Sequence, residues 1–184
     1  HITFDDGYKD NLEYALPILK DFNIPATIYI SDGIIGRTHL ATEHMCTSKI
    51  DDFLSWEDVK KLDQETLIEI GGHTSTHAML SKLSIEKLQT EVGVSKENIE
   101  KNLGHVINHF AYPYGGKGTY NPESIAVIQE AGYKTAVTAI CKKVDFLQNN
   151  FELPRYFITQ ACCRQINLSR FSGISNILNH QLLP

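Results

Sequence analysis

The chain has 184 residues, 42% of them hydrophobic, and a formal net charge of −5 at pH 7, which suits one domain with a sizeable core. An acidic balance with no run of Lys and Arg excludes the electrostatic footprint of a nucleic-acid or anionic-membrane binder. The longest apolar stretches, such as "IPATIYI", fall short of the roughly 20 residues a membrane-spanning helix needs, so no membrane span is expected in this segment.

In chain order, "HITF" reads as a short strand, followed by the helical spacing of "KDNLEYALPILKDF" and a second strand in "IPATIYI". Ser31 to Phe53 lacks periodicity and is read as a long loop or insertion, a candidate for substrate contact and equally for packing or oligomerisation. "SWEDVKKLDQE" is a helix opened by Ser55 with Asp58 three residues on, a capping-box pattern. The strand "LIEIGG" comes next, then one helical stretch over "SIEKLQTEVGVSKENIEKNL" and the strand "INHFAYP". "NPESIAVIQEAG" is a helix with Asn121 as cap, Pro122 at its first position and Gly132 at its end. "YKTAVTA" and "LPRYFIT" are the last strand candidates, and "NLSRFSGISNILNH" a terminal helix. This alternation predicts an α/β fold of strand-helix repeats in one domain covering residues 1–184. The chain begins without Met and inside an apolar run, which points to residues upstream in the parent protein. Cys46, Cys141, Cys162 and Cys163 are too few and too scattered for a disulfide framework, and no C-x-x-C pair suggests structural zinc.

Asp5 and Asp6 close the first strand, at the end where active sites assemble in parallel α/β folds. Two adjacent carboxylates are costly against an apolar wall unless a cation or hydrogen bonds offset them. In "EIGGHTSTHAML", His73 and His77 follow another strand, and on a helical turn their spacing would let both bind one divalent ion. Thr74 stands where a zincin protease has its Glu, so that reading fails. Two His and one carboxylate, Asp5 or Asp6, make a metal-hydrolase or non-haem-iron set, although paired histidines on a polar turn are more often simply solvated. In "HFAYPYGG" the Pro and glycines fix a tight turn that could offer backbone N–H groups to an oxyanion, with Tyr112 and Tyr114 walling a groove. A plain turn with packed aromatics is the more economical reading of that stretch taken alone. Arg155, just inside "LPRYFIT", stands where an Arg is usually a surface or salt-bridge residue, but it could reach an active-site carboxylate at the same face.

Taken together, these motifs resemble the polysaccharide deacetylases of carbohydrate esterase family four. "TFDDGY" is similar to that family's first motif, "HTSTH" to its second and "YPYG" to the end of its third, in the family's order from Thr3 to about Arg155. The resemblance implies a distorted (β/α)-barrel, often of seven strands, and hydrolysis of N-acetyl or O-acetyl groups on a glycan. It also implies that Asp5 is the catalytic base and that Asp6, His73 and His77 bind zinc, with Co2+, Ni2+ or Fe2+ suited to the same ligands. Tyr112, Pro113, Tyr114 and Gly115 would contact substrate and its oxyanion. Family habit points to the bacterial cell envelope or exterior. Relatives of the fold also cleave other amide bonds, including cyclic ones, and a glycan-binding domain without turnover is the third reading.

Two positions depart from the family pattern. Ala111 stands where many members have an Arg that braces the catalytic Asp, a part Arg155 is placed to take. His180 in "ILNHQ" only superficially matches the family's late His, and His105 and His109 match it no better, so the general acid is unassigned. The particular glycan and the oligomeric state have no signature in the sequence.

Overall fold

The computed structural model describes residues 1–37, 53–143 and 149–158. Five parallel strands, β1 (Ile2–Phe4), β2 (Ala26–Ile30), β3 (Ile68–Gly72), β4 (His109–Ala111) and β5 (Thr135–Val137), form one sheet in the order β1-β2-β3-β4-β5. Parallel neighbours require crossovers, and these are overwhelmingly right-handed. Because the order never reverses, every crossover falls on the same side of the sheet, which is the winding of a barrel wall rather than of a doubly wound sheet.

The helices of that side are α1 (Leu16–Phe22), α2 (Trp56–Asp63), α3 (Ile85–Gln89), α4 (Ser95–Leu103) and α5 (Pro122–Glu130). Strand alternation sends Ala26, Ile28, Ile30, Ile68, Ile70, Phe110, Tyr112 and Ala136 toward them, into one core with Leu19, Val59, Leu62, Val92, Ile99 and Ile128. The intervening residues face the other side, where Tyr29, Ala111 and Val137 form a small cluster with Leu153.

Local signals explain several boundaries. Ser55 and Asp58 close a reciprocal capping box at α2, with Asp58 N–H donating to Ser55 Oγ at 3.1 Å and Ser55 N–H to Asp58 Oδ2 at 3.1 Å. Asn121 Oδ1 accepts from Ser124 N–H at 2.9 Å, Pro122 opens α5, and Gly132 follows it in left-handed backbone.

The structure departs from the sequence reading in several places. The first helical stretch divides into a π-helical turn, Asn11–Ala15, and α1. Pro17 has no N–H to return to Glu13, and the ladder widens just before it, with Leu16 N–H reaching Asn11 O. The stretch from Ser84 to Leu103 is likewise α3, a π-helical turn over Thr90–Val94, and α4. "LPRYFIT" is not a strand over its described residues: only Leu153 bridges to Val137, because Pro154 has no N–H for a ladder. The sheet accordingly has five strands among the described residues rather than seven. Residues 38–52 of the expected loop, the terminal helix, His180, Cys46, Cys162 and Cys163 lie outside the described residues. Cys141 is an exposed free thiol.

Candidate active site

Asp5 and Asp6 leave β1 at the level where β2 ends, since Phe4 pairs with Ile28. Asp6 has φ 74° and Gly7 φ 74°, so the chain turns sharply after the strand, and a Cβ on Gly7 would press on Ile30 and Ile35 at 3.1 and 3.2 Å. The turn sends the two carboxylates to different partners.

Asp5 is gripped by Arg155. Nη1 donates to Oδ1 at 2.7 Å and Nη2 to Oδ2 at 2.8 Å, a two-point pair. The guanidinium is itself fixed, with Nη1 donating to Thr3 Oγ1 at 3.0 Å and Nε to the Thr138 carbonyl at 2.9 Å. It also lies over the Tyr29 ring, 5.7 Å from its centroid. Burial works against the guanidinium charge, but the bonds and field of Asp5 outweigh it and raise its pKa. Ala111 sits in the cluster with Tyr29, so the position expected to carry an Arg is apolar and Arg155 supplies the contact from another segment.

Asp6 faces the histidines. Its Oδ1 lies 3.4 Å from Nε2 of both His73 and His77, and is buried without a hydrogen bond to either. His73 is 1% exposed, and its Nδ1 donates to the Ala111 carbonyl at 2.7 Å. Because a carbonyl only accepts, Nδ1 carries the proton and the Nε2 lone pair is directed at Asp6. Burial alone would raise the Asp6 carboxyl, but His73 first, then His77 and Arg155, outweigh it and lower its pKa. Burial likewise opposes charge on His73, yet Asp6, Asp5 and the Ala111 carbonyl raise its pKa. Ligand atoms of Asp6, His73 and His77 all lie within 4.8 Å of one another, a separation one divalent ion can bridge.

The loop from His73 to His77 is not the helical turn expected. Thr74 and His77 adopt left-handed backbone, at φ 64° and 59°, and the rings still converge with centroids 5.0 Å apart. Ser31 Oγ donates to the His73 carbonyl at 2.8 Å, and Gly33 N–H to the Ser75 carbonyl at 3.1 Å. Any side chain on Gly33 would fall 2.7 Å from that carbonyl, so the approach requires glycine.

The tyrosines of "YPYGG" separate. Tyr112 turns into the helix-side core at 1% exposed, stacks on Tyr120 at 4.2 Å and donates to the Phe151 carbonyl at 2.9 Å. Its side chain therefore walls no groove, the physical reason being that it alternates with Ala111. Pro113 is buried, while Tyr114, 37% exposed with φ 62°, sets its ring against His77 at 4.7 Å. Gly115 continues the turn at φ 56°, and its N–H donates to the Pro113 carbonyl at 2.7 Å. His105 pairs instead with Asp63 at 2.8 Å. His109, at the start of β4, meets Thr135 and Glu69 at 2.7 and 3.0 Å, away from the strand ends that carry the site. Sequence reasoning missed Thr3, Ser31 and Thr138. Thr3 was discoverable, being two residues before Asp5 on one face of a strand.

A family model described as polysaccharide deacetylase matches residues 1–136. YxkH of Bacillus subtilis (strain 168) is 33% identical over 137 residues, 74% of this chain and 43% of that protein. The poly-β-1,6-N-acetyl-D-glucosamine N-deacetylase of Staphylococcus aureus (strain MRSA252) is 30% identical over 180 residues, 94% of this chain and 58% of the relative. The chain thus spans about half the length of these curated relatives. The Streptococcus pyogenes deacetylase PplD, solved in complex with acetate, superposes with a TM-score of 0.73 at 25% identity, covering 94% of this chain and 67% of PplD. The motifs, the one-way sheet and these matches agree: the chain belongs to the polysaccharide deacetylase family.

Proposed function

We propose that this chain hydrolyses acetyl groups on an amino-sugar glycan, with Asp6, His73 and His77 holding a divalent ion and Asp5 acting as base. The observation that carries the reading is the buried Asp6 Oδ1, without a hydrogen bond and 3.4 Å from two imidazole Nε2 atoms. Leaving such an oxygen unmet is costly, and a cation among three such donors removes the cost. Two neutral imidazoles and a carboxylate suit Zn2+, and also Co2+, Ni2+ or Fe2+. When bound, the ion supplies Lewis acidity toward the acetyl carbonyl and acidifies water for attack.

The chain's own residues do the rest. Arg155 holds both Asp5 oxygens, fixing the carboxylate while a lone pair remains to take the proton of the attacking water. The water oxygen bonds to the acetyl carbon, and the backbone N–H of Tyr114 stabilises the developing oxyanion. As the carbon-nitrogen bond breaks, the proton taken by Asp5 passes to the leaving amine, giving acetate and a free amino sugar. The Staphylococcus aureus relative is named for poly-β-1,6-N-acetyl-D-glucosamine, which makes an N-acetylglucosamine polymer of the bacterial envelope the favoured substrate.

The test is acetate release from β-1,6-linked N-acetylglucosamine oligomers, with O-acetylated glycan as a second substrate, measured with metal content, with and without chelator. One ion per chain and chelator-sensitive acetate are expected. A bound ion with no acetate from either substrate would overturn the deacetylase reading, and full activity in Asp5→Asn would overturn the base assignment.

A further inference from the structure

The loop that carries the two histidines holds two non-glycine residues in left-handed backbone, Thr74 and His77. Each costs on the order of 1 kcal/mol, and such conformations persist only when surrounding groups impose them. His73, at the start of the loop, is fixed independently: its N–H donates to the Ile30 carbonyl at 2.9 Å, its carbonyl accepts from Ser31, and its Nδ1 donates to the Ala111 carbonyl. Besides the Gly33 N–H bond to the Ser75 carbonyl at 3.1 Å, the middle of the loop is held by one carboxylate. Glu91 Oε2 accepts from the N–H groups of Ser75 at 3.0 Å and Thr76 at 2.9 Å, and its Oε1 from Thr76 Oγ1 at 2.7 Å.

Glu91 reaches the loop from the π-helical turn Thr90–Val94, between α3 and α4, while its neighbour Val92 stays fully buried in the core. Adjacent helical residues point about 100° apart, so Val92 can face the core while Glu91 faces the loop. The successive N–H groups of Ser75 and Thr76, two and three residues after His73, converge on one carboxylate, which leaves the His77 end of the loop as the part that depends on Glu91.

Resting on the metal reading above, we infer that Glu91 is a positioning residue for the metal centre: its carboxylate sets the loop conformation that directs His77 at Asp6. Groups that orient a metal ligand typically change metal affinity 10- to 100-fold when removed. Glu91→Gln keeps the shape but removes the negative charge that strengthens the two N–H bonds, and leaves one oxygen rather than two to accept from the loop. It is therefore expected to weaken Co2+ binding by about tenfold, within that range.

The experiment titrates Co2+ into purified wild type, Glu91→Gln, Glu91→Ala and His77→Ala, reading affinity by chelator competition and ligand geometry by visible absorption. Amide hydrogen exchange at Ser75 and Thr76 is measured without metal. Support requires weaker Co2+ binding, an altered cobalt spectrum and faster exchange of those two amides in Glu91→Gln. A merely structural role would lower the unfolding midpoint while leaving the cobalt spectrum and affinity at wild-type values, and that result overturns the inference. If Glu91→Ala does not fold, Glu91→Gln decides by the same readouts. Wild type that takes up no Co2+, or binds it as well after His77→Ala, overturns the metal reading and the inference with it. Wild-type binding lost in His77→Ala but unchanged in Glu91→Gln overturns the inference alone.

Discussion

Replacing Arg155 with methionine keeps much of the side-chain length while deleting four hydrogen bonds: two to Asp5, at 2.7 and 2.8 Å, and one each to Thr3 and the Thr138 carbonyl. The pair is partly shielded, the two side chains being 14% and 25% exposed. Breaking a fully buried ion pair costs about 3–5 kcal/mol, but Asp5 can rehydrate here, so we expect about 2–3 kcal/mol of stability to be lost. The larger effect is on turnover. An unbraced Asp5 can swing out of line with the attacking water, and a misplacement of about 1 Å is worth roughly 100-fold. Arg155→Met is therefore expected to lower kcat about 100-fold with little change in KM, because the glycan need not touch Arg155. Arg155→Lys should recover part of the stability but little of kcat, since an ammonium is a point charge and cannot hold both oxygens in one plane. The assay is steady-state acetate release alongside urea unfolding of each variant. A variant that loses the expected stability yet keeps kcat within about twofold of wild type, a far smaller loss than misplacement predicts, would refute the claim that Arg155 aims the base.

Tyr133 offers a test independent of chemistry. Its hydroxyl is buried without a hydrogen bond, and a Cβ built on Gly72 would fall on that oxygen; Tyr133→Phe should therefore raise stability by about 1 kcal/mol and partly rescue Gly72→Ala, read as non-additive unfolding energies in a double-mutant cycle. Asp6→Asn should fold normally while losing stoichiometric metal, measured by elemental analysis after dialysis. Metal binding should weaken on acidification starting at a higher pH than for an ordinary imidazole, because the His73 pKa is raised above 6.5 and protons compete for Nε2; a titration of Co2+ affinity against pH checks this. For the metal-free protein the signs are opposed. The lowered Asp6 pKa contributes stability above its usual 3.8 that is lost as pH falls, and the raised His73 pKa contributes stability below 6.5 that is lost as pH rises. Metal-free stability should accordingly peak between those limits, and added Co2+ should stabilise most on the alkaline side.

The parts of this fold legible in the sequence are those that local chemistry decides. The Ser55 and Asn121 caps depend only on residues three apart, and the five strands on runs that tertiary packing then accepts. The π-helical turns were not legible, since an extra residue in a turn leaves the apolar spacing of "SIEKLQTEVGVSKENIEKNL" nearly intact. The failure of "LPRYFIT" as a strand was available from Pro154 and was outvoted by its aromatic and β-branched neighbours. Within the site, Asp5, Asp6, His73 and His77 stood out through motif order. The Asp5–Arg155 contact joins residues 150 apart; the sequence offers Arg155 only through its place just inside "LPRYFIT", a stretch that forms no strand over its described residues. The inward turn of Tyr112 follows from strand alternation, which the expectation of an aromatic groove overlooked.

Of the three proposed metal ligands, Asp6 and His77 have their backbones in the left-handed region. Among non-glycine residues, Asn, Asp and His tolerate that region best. At these two positions the demands of backbone and of chemistry therefore overlap on a very short list. A library screened only for folding should accept Asn or Gly at position 6 alongside Asp. The same library screened for acetate release should return Asp alone, since Glu has the charge but not the tolerance. Selection for folding alone thus leaves this codon free to drift, and a drift to Asn or Gly would leave a well-folded protein without one of the proposed metal ligands.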